Sequence, residues 1–243
     1  MNAMIFAAGL GTRLQPYTNN KPKAMVELAG RPLLAHCIEN LLKYSFKRIV
    51  VNVHHFADQI IEFLNQQDYP NVEIIISDER NELLETGGGL AKAAPLFIPN
   101  QPVLICNVDI LSDLDLTKLI AYHETNNALA TLAVRDRSTS RYLLFDNTNR
   151  LSGWTNISTG EIKEARPLTG EEQKLAFSGI HVVSPELFPL ITEKGKFPII
   201  QLYLRLAQQH LIKGFDHSDG YWMDVGKPEQ LKQAEIDFFQ KNS

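Results

Sequence analysis

Short apolar runs alternate with amphipathic stretches of helical period through the first half of the chain. The strand-like runs occupy residues 3–8, 48–53, 72–77, 103–106 and 129–135, and the helical patterns occupy residues 32–44, 56–66, 89–97 and 115–125. Strands that alternate with helices form units in which crossover helices join parallel strands and cover both faces of the sheet. The pattern therefore predicts a three-layer α/β fold with a mainly parallel central sheet.

The second half has a different pattern. Short runs at residues 142–146, 150–154 and 160–163, separated by turn residues, predict a small antiparallel insertion. Further strands are predicted at residues 174–183, 211–216 and 221–223, and helices at residues 184–191, 198–210 and 228–239. No linker rich in Pro, Gly or Ser divides the chain, so we predict a single domain over residues 1–243 with halves of about 1–135 and 136–243.

The first strand leads directly into a glycine-rich turn followed by two cations. Gly9 and Gly11 have no Cβ, so backbone N–H groups there can approach phosphate oxygens closely. Arg13 offers a planar fork of donors that fits phosphate, and Lys23 adds a compact charge. Because ligands of parallel α/β sheets bind at the carboxyl ends of the strands, the turn predicts a phosphate site there.

Two familiar phosphate motifs do not fit this turn. A Walker A loop, Gly-x4-Gly-Lys-Ser/Thr, is absent from the sequence. A dinucleotide fingerprint needs a third glycine at the position of Leu14, which argues against a dehydrogenase. From these residues alone, a plain tight turn with two solvated cations remains the alternative.

Charge and composition narrow the function classes. The net charge is −4 and the pI is about 6.0, which argues against a nucleic-acid partner. No apolar stretch reaches the ~18 residues of a membrane span, and no signal peptide is predicted. Cys37 and Cys106 lie in apolar contexts and are predicted to be buried free thiols, which is typical of a cytoplasmic protein.

Two aspartates are candidates for a metal site. Asp109 directly follows an apolar run, and Asp224 precedes a glycine turn and a predicted helix. Mg²⁺ in proteins often takes one or two carboxylates and completes its shell with phosphate oxygens and water. The two lie far apart in the sequence, so they form a pair only if the fold joins them, and each alone also suits a turn or a helix cap.

The chain resembles the sugar-phosphate nucleotidyltransferases over almost its whole length. The signature of that family, Gly-x-Gly-x-Arg-Leu followed by Pro-Lys, is matched by Gly9, Gly11, Arg13, Leu14, Pro22 and Lys23. The resemblance implies a Rossmann-like fold with a nucleotide-binding first half and a sugar-binding second half. It implies transfer of a nucleotidyl group from an NTP to a sugar 1-phosphate, with Arg13 and Lys23 as catalytic residues and Asp109 and Asp224 as Mg²⁺ ligands.

The resemblance also implies further substrate contacts. The nucleotide-binding residues would be Ala8, Gly9, Gly11, Thr12, Arg13, Lys23, Gly87, Gly88 and Asn107. The sugar-binding residues would be Asn52, Glu164 and Gly179, although the segment from Glu164 to Pro167 is one residue longer than its family counterpart. Val108 stands where the family has glycine, which narrows the approach of the ribose to the backbone.

The string Leu-Glu-Thr-Gly-Gly-Gly at residues 84–89 bears on the substrates. It is predicted to form a loop before the helix at 89–97 and to expose backbone groups that read a base. It looks most like that of uridylyltransferases acting on N-acetylmuramic acid 1-phosphate, and guanylyltransferases for mannose or heptose 1-phosphate carry close variants. We therefore favour UTP with N-acetylmuramate 1-phosphate or a related hexosamine 1-phosphate, and keep GTP with mannose or heptose 1-phosphate as the alternative.

A second alternative is a non-catalytic family member that binds a nucleotide sugar without turnover. The phosphate and metal residues are all present, which favours an enzyme. We expect a cytoplasmic monomer or homodimer without a nucleic-acid or membrane partner.

Overall fold

The computed structural model describes residues 1–241. The strands are β1 (Asn2–Phe6), β2 (Glu27–Leu28), β3 (Arg31–Pro32), β4 (Arg48–Val53), β5 (Glu73–Asp78), β6 (Val103–Asn107), β7 (Ile110–Ser112), β8 (Ala130–Arg135), β9 (Arg141–Phe145), β10 (Leu151–Asn156), β11 (Glu161–Glu164), β12 (Gln173–Val183), β13 (Ile212–Asp216) and β14 (Trp222–Asp224). The α-helices are α1 (Leu33–Leu42), α2 (Ala57–Asn65), α3 (Glu85–Ala93), α4 (Leu116–Thr125), α5 (Ile199–Leu206) and α6 (Pro228–Lys241).

One sheet of ten strands runs through both halves of the described chain. Its order is β11-β10-β9-β12-β6-β1-β4-β5, and β8 pairs with β12 and β13 off this path. The strands β6, β1, β4 and β5 are parallel, whereas β12 is antiparallel to β6. The predicted parallel centre is confirmed, and so is the antiparallel insertion, which consists of β9, β10 and β11.

Both faces of the central sheet are buried. Successive side chains of a strand point to opposite faces, so one strand contributes alternate residues to two hydrophobic clusters. In β1, Ala3 and Ile5 belong to one hydrophobic cluster, and Met4 and Phe6 belong to the other. Helices α1, α2, α4 and α6 contribute to the first cluster, and α3 and α5 contribute to the second. The predicted three layers are therefore present.

The register of the central strands brings three chain segments to one edge of the sheet. Phe6 pairs with Asn52 of β4 on one side and with Asn107 of β6 on the other. Parallel strands that end at the same level place their following loops side by side. The glycine turn after β1 thus lies next to the segment that contains Asp109.

Strand β12 links this edge to the second half. Ile180 pairs with Cys106 of β6, while the register with β8 shifts between Phe177 and His181. Gly179 lies in this irregularity with a φ of +75°, and a Cβ there would lie 2.8 Å from the Asn107 side-chain nitrogen. Only glycine combines this backbone conformation with such a close approach.

Helix α3 corrects the sequence prediction. It begins at Glu85 rather than near residue 89, so Gly87 and Gly88 lie inside a helix and not in a loop before it. The backbone N–H groups of both glycines donate to the Phe197 carbonyl, at 2.9 and 3.3 Å. A Cβ on Gly88 would lie 2.3 Å from the Gly195 carbonyl oxygen. These glycines allow α3 to pack directly against a distant backbone segment.

Two other helices differ from the prediction, and one agrees with it. The segment predicted as a helix at residues 184–191 is a 3₁₀ helix over Pro185–Leu190, where Pro189 has no N–H to donate. Helix α5 ends at Leu206, before the predicted end at residue 210. The helix predicted from residue 115 is confirmed as α4, and the Asp115 carboxylate caps it by accepting backbone N–H groups of its first turn. No helix among the described residues is both long and apolar enough to cross a membrane.

Candidate active site

The glycine turn is held in place by a buried side chain of the neighbouring strand. The amide oxygen of Asn52 accepts the backbone N–H groups of Ala7 and Ala8, at 2.7 and 3.3 Å. Its nitrogen donates to Glu79 at 2.7 Å. Both polar ends of its buried amide bond the protein's own groups, so Asn52 positions the turn, and its predicted contact with the sugar stays a prediction.

Gly11 is required by the shape of the turn. Its φ is +67°, and a Cβ would lie 2.9 Å from the Thr18 side chain and 3.1 Å from that of Lys23. The Thr18 hydroxyl donates to the Gly11 carbonyl at 2.9 Å, which closes the loop. Thr12 and Arg13 then project from a short 3₁₀ helix, and the side chain of Arg13 is 63% exposed.

Lys23 and Asp109 form an ion pair at the edge of the sheet. The Lys23 ammonium contacts the Asp109 carboxylate, and both side chains are largely buried. The pair joins the segment after the glycine turn to the segment after β6. Lys23 thus lies beside a carboxylate, at a position from which an ammonium could also contact phosphate oxygens.

The fold brings Asp224 to Asp109 although the two lie in different halves of the chain. Asp224 pairs with Ile110 in the β7–β14 ladder, and the Val225 N–H donates to the Asp109 carbonyl at 2.8 Å. The Arg13 guanidinium lies 3.9 Å from the Asp224 carboxylate. The four charged residues singled out in the sequence therefore form one cluster.

Electrostatics in this cluster suit a divalent cation. Burial raises the pKa of Asp224, the neighbouring Asp109 carboxylate raises it further, and Lys23 opposes both effects. One buried oxygen of Asp224, Oδ1, has no hydrogen-bond partner among the described residues. Two adjacent carboxylates with a free oxygen are the donor set that a hard cation such as Mg²⁺ takes from a protein.

No group of three or more potential His, Cys, Asp or Glu metal ligands exists in residues 1–241. A cation here would therefore have only carboxylates as acidic protein ligands and would need phosphate oxygens or water to complete its shell. This limited set fits Mg²⁺ bound together with a nucleotide better than an all-protein metal cage.

A cavity of about 400 Å³ lies beside the charged cluster. Of the predicted site residues, its walls include Ala8, Gly9, Lys23, Asn52, Asn107 and Asp109. Other walls come from the segment between β5 and α3, including Leu83, Glu85 and Thr86. Apolar walls with a few polar groups and an adjacent charged cluster are typical of a ligand site.

Val108 lies in the wall of this cavity and is buried. Its backbone N–H donates to the Phe6 carbonyl at 3.2 Å, and its side chain belongs to the hydrophobic cluster on one face of the sheet. The valine therefore packs into the protein as well as facing the cavity, and its predicted narrowing of the ribose side stays a prediction.

Gly87, Gly88 and Glu164 are among the predicted site residues that do not line the cavity. Gly87 and Gly88 are buried in α3 with their N–H groups bonded to Phe197, so Glu85 and Thr86 present this segment to the cavity instead. Glu164 ends the edge strand β11 with its side chain exposed. The substrate contacts of these three residues stay predictions.

Glu79 is a site residue that the sequence reading missed. It follows β5, and only 1% of its surface is exposed. This burial raises the pKa of its carboxyl. It accepts hydrogen bonds from the Asn52 amide at 2.7 Å and from the Leu84 N–H at 3.3 Å. The signal was available, because Glu79 follows a strand's carboxyl end just as Asp109 does.

Residues 2–241 of the chain match the protein family described as "Nucleotidyl transferase". A curated relative, the N-acetylmuramate alpha-1-phosphate uridylyltransferase of Caulobacter vibrioides, is 34% identical over 241 residues, covering 96% of this chain and 95% of the relative. The mannose-1-phosphate guanyltransferase of Yarrowia lipolytica is 30% identical, covering 95% of this chain and 62% of the relative.

A solved structure shares the fold. HddC from Yersinia pseudotuberculosis, complexed with GMP-PN, superposes with a TM-score of 0.77 at 23% identity and covers 98% of this chain and 99% of its own. The family match over nearly the whole chain agrees with the charged cluster at the edge of the sheet. The chain therefore belongs to the nucleotidyl transferase family, and it is a sugar-1-phosphate nucleotidyltransferase.

Proposed function

We propose that the chain transfers a uridylyl group from UTP to N-acetylmuramate 1-phosphate or a related hexosamine 1-phosphate, releasing pyrophosphate. The observation that carries the reaction is the cluster of Arg13, Lys23, Asp109 and Asp224 beside the cavity. The choice of substrates is supported by the Caulobacter relative, which aligns over nearly the full length of both chains.

The acceptor needs no general base. A phosphate monoester is already anionic near neutral pH, so its oxygen can attack the α-phosphorus of UTP directly. The bond from that phosphorus to the oxygen that bridges to the β-phosphate breaks, and pyrophosphate leaves with the electron pair. Catalysis then consists of positioning two anions and neutralising charge in the transition state.

Arg13 and Lys23 have different tasks in this proposal. The guanidinium of Arg13 is exposed at the end of a long side chain, so it can hold the β- and γ-phosphates and neutralise the leaving pyrophosphate. Lys23 is fixed against Asp109, which lies beside Asp224 of the second half, so it suits a bridge between the α-phosphate and the incoming phosphate. The backbone of the glycine turn, from Ala8 to Thr12, would contact the nucleotide.

Asp109 and Asp224 would hold Mg²⁺, which neutralises phosphate charge when bound. Their own contribution is to present two carboxylates from opposite halves at one point, through the pairing of β7 with β14. Asn52 and Glu79 contribute indirectly, because they fix the backbone that faces the nucleotide.

GTP with mannose 1-phosphate or heptose 1-phosphate is the second candidate. It is favoured by the guanyltransferase relative, which is 30% identical and aligns with 95% of this chain. A pocket that hydrogen-bonds one base leaves buried polar groups unpaired with another, and such a mismatch can cost about 10⁴-fold or more in kcat/KM. One of the two nucleotides should therefore be strongly preferred.

The deciding experiment measures pyrophosphate release with UTP and GTP, each offered with N-acetylmuramate, N-acetylglucosamine and mannose 1-phosphates. We expect the highest kcat/KM for UTP with N-acetylmuramate 1-phosphate. A preference for GTP with mannose 1-phosphate would overturn the choice of substrates and leave the transferase assignment in place. Asp109→Asn, purified in parallel, controls for contaminating activity.

We also place the protein in the cytoplasm as a monomer or homodimer. Both cysteines are free thiols, which suits a reducing compartment. Size-exclusion chromatography with light scattering would determine the oligomeric state.

A further inference from the structure

An arginine of the second half lies against an aromatic ring close to the metal carboxylates. Trp222 belongs to β14, the strand that carries Asp224, and its indole N–H donates to the Ser178 carbonyl at 2.9 Å. The Arg137 guanidinium lies 4.5 Å from the centre of the ring, and that of Arg135 lies 5.7 Å from it. The anchored ring orients the planar groups above it.

The two arginines use their donors differently. Arg135 donates from Nη2 to the carbonyls of Ser218 and Gly220, both at 3.0 Å, and so ties down the loop before β14, while its buried Nη1 has no partner among the described residues. Arg137 makes one long bond, to the Phe177 carbonyl at 3.4 Å, and its Nε is buried without a partner. No described carboxylate forms an ion pair with Arg137.

A half-buried guanidinium without a paired anion is unfavourable. Burial lowers the pKa of Arg137, and the charge of Asp224 partly offsets this effect. Removing an unpaired charge from water is costly, so an oxyanion brought by a ligand would stabilise the Arg137 guanidinium. Arg137 therefore has the properties of an anion-binding residue.

The position of Arg137 indicates which substrate supplies the anion. Arg137 follows β8, and the Phe177 that it contacts lies on β12, two residues before Gly179. Gly179 in turn approaches Asn107 of the cavity. Arg137 is thus on the second-half side of the aspartates, whereas the glycine turn and Arg13 occupy the nucleotide side.

We propose that Arg137, stacked on Trp222, binds an anionic group of the acceptor sugar phosphate and thereby helps to select the acceptor. The anion is the 1-phosphate itself or a carboxylate carried by the sugar, since a guanidinium fork binds both oxyanions in the same bidentate way. The proposal rests on the proposed function, because it requires a sugar-phosphate acceptor at this site.

The test compares Arg137→Gln and Arg137→Lys with wild type, and uses Arg135→Gln as the matched control on the same ring. We expect Arg137→Gln to raise the acceptor KM by about 10-fold or more while the NTP KM stays within about twofold. Arg137→Lys, which keeps the charge and loses the fork, should recover part of the loss. Arg135→Gln should lower the melting temperature without this split between the two KM values.

Two acceptors distinguish the sources of the anion. N-Acetylmuramate 1-phosphate carries a carboxylate that N-acetylglucosamine 1-phosphate lacks. A rise in KM with both acceptors assigns Arg137 to the phosphate, and a rise with the first alone assigns it to the carboxylate. An unchanged acceptor KM with both, or an equal rise in the NTP KM, would overturn the proposal.

A binding measurement detects the acceptor without requiring turnover, and it separates this proposal from the choice of substrates. Trp154 and Trp222 are the two tryptophans of the chain, so Trp154→Phe leaves Trp222 as the reporter of acceptor binding. If wild type uses neither N-acetylhexosamine acceptor, the proposed substrates are wrong, and the same comparison is made with the acceptor found in the substrate screen. An unchanged fluorescence titration in Arg137→Lys would contradict the role of the fork.

Discussion

The two sides of the candidate active site are built differently. On the nucleotide side, the buried side chains of Asn52 and Lys23 are already paired within the protein: Asn52 bonds the turn and Glu79, and Lys23 contacts Asp109. On the acceptor side, Arg137 keeps most of its donors unused and one of them buried. The nucleotide side is therefore preorganised, whereas the acceptor side depends on its substrate for a counter-charge.

This difference has a consequence for function. Changes on the nucleotide side should slow the reaction with every acceptor, because they disturb groups common to all turnovers. Changes on the acceptor side should alter which sugar phosphate is used. The following variants test this division.

The largest effect is expected where the two sides meet. Asp109→Asn and Asp224→Asn should each lower kcat by about 100-fold or more, because metal-supplied charge stabilisation contributes several kcal/mol. Asp224→Asn keeps the shape of the side chain, so its melting temperature should change little, whereas Asp109→Asn leaves the largely buried Lys23 ammonium without its carboxylate and should lower the melting temperature. Near-normal pyrophosphate release by either variant at saturating Mg²⁺ would remove that residue from the metal site.

The next largest effects are expected for the two cations, Arg13 and Lys23, which should distinguish the nucleotide side from the acceptor side. Arg13→Ala should lower kcat/KM for the NTP by about 100-fold, because a charge-assisted contact to phosphate is lost. Lys23→Ala should impair the use of both substrates, since Lys23 contacts Asp109, where the nucleotide side and the acceptor side meet. An effect of Lys23→Ala confined to the NTP KM would show that the lysine does not bridge the two phosphates.

The glycines of α3 test the packing that supports the nucleotide side. Gly88→Ala would place a methyl group 2.3 Å from the Gly195 carbonyl oxygen. Because backbone must move to accommodate it, we expect the free energy of unfolding to fall by about 2 kcal/mol in urea titrations. Gly9→Ala is the control for stability, since nothing lies within 4 Å of the added Cβ. Equal stability of the two variants would argue against the packing role.

Asn52→Ala distinguishes positioning of the turn from direct contact with the sugar. The substitution leaves the Ala7 N–H and Glu79 without their partner, so the turn should lose its fixed geometry. We expect the NTP KM to rise by about 10-fold while the acceptor KM stays the same, since an unpaired buried group costs about 1–3 kcal/mol. A rise in the acceptor KM alone would support the predicted sugar contact instead.

The smallest effect concerns pH on the acceptor side. His217 donates to or accepts from Ser178 at 2.7 Å, and burial, with the nearby Arg135, lowers its pKa from 6.5 to about 4. The unfolded chain therefore binds a proton first as the pH falls. The stability from this group is fully present above the unfolded pKa and is lost as the pH falls toward the folded pKa.

Between pH 7.5 and pH 5.5 we expect a loss of about 1 kcal/mol from His217, measured by urea unfolding. His217→Gln should reduce the pH dependence by about this amount, and His55→Gln, at an exposed position, should not. An unchanged pH dependence in His217→Gln would exclude the contribution of this histidine.

Much of the fold was readable because it depends on local patterns. The apolar runs of β1 and β4 predict strands buried on both faces, and the structure shows their residues divided between two hydrophobic clusters. The start of α3 was missed for the opposite reason. Its glycines are poor helix formers, and the Phe197 carbonyl that accepts their N–H groups lies far along the chain.

The sequence by itself determined the strand-turn-cation pattern at Gly9–Lys23 and the identity of the charged groups, because these depend on residue type and short spacing. Tertiary structure decided which of them meet. The β7–β14 ladder joins Asp109 to Asp224, and the strand register brings Asn52 into contact with the glycine turn. The Arg137 guanidinium lies over the Trp222 ring. Each is a long-range contact set by strand pairing and burial, and no local sequence pattern encodes its partner.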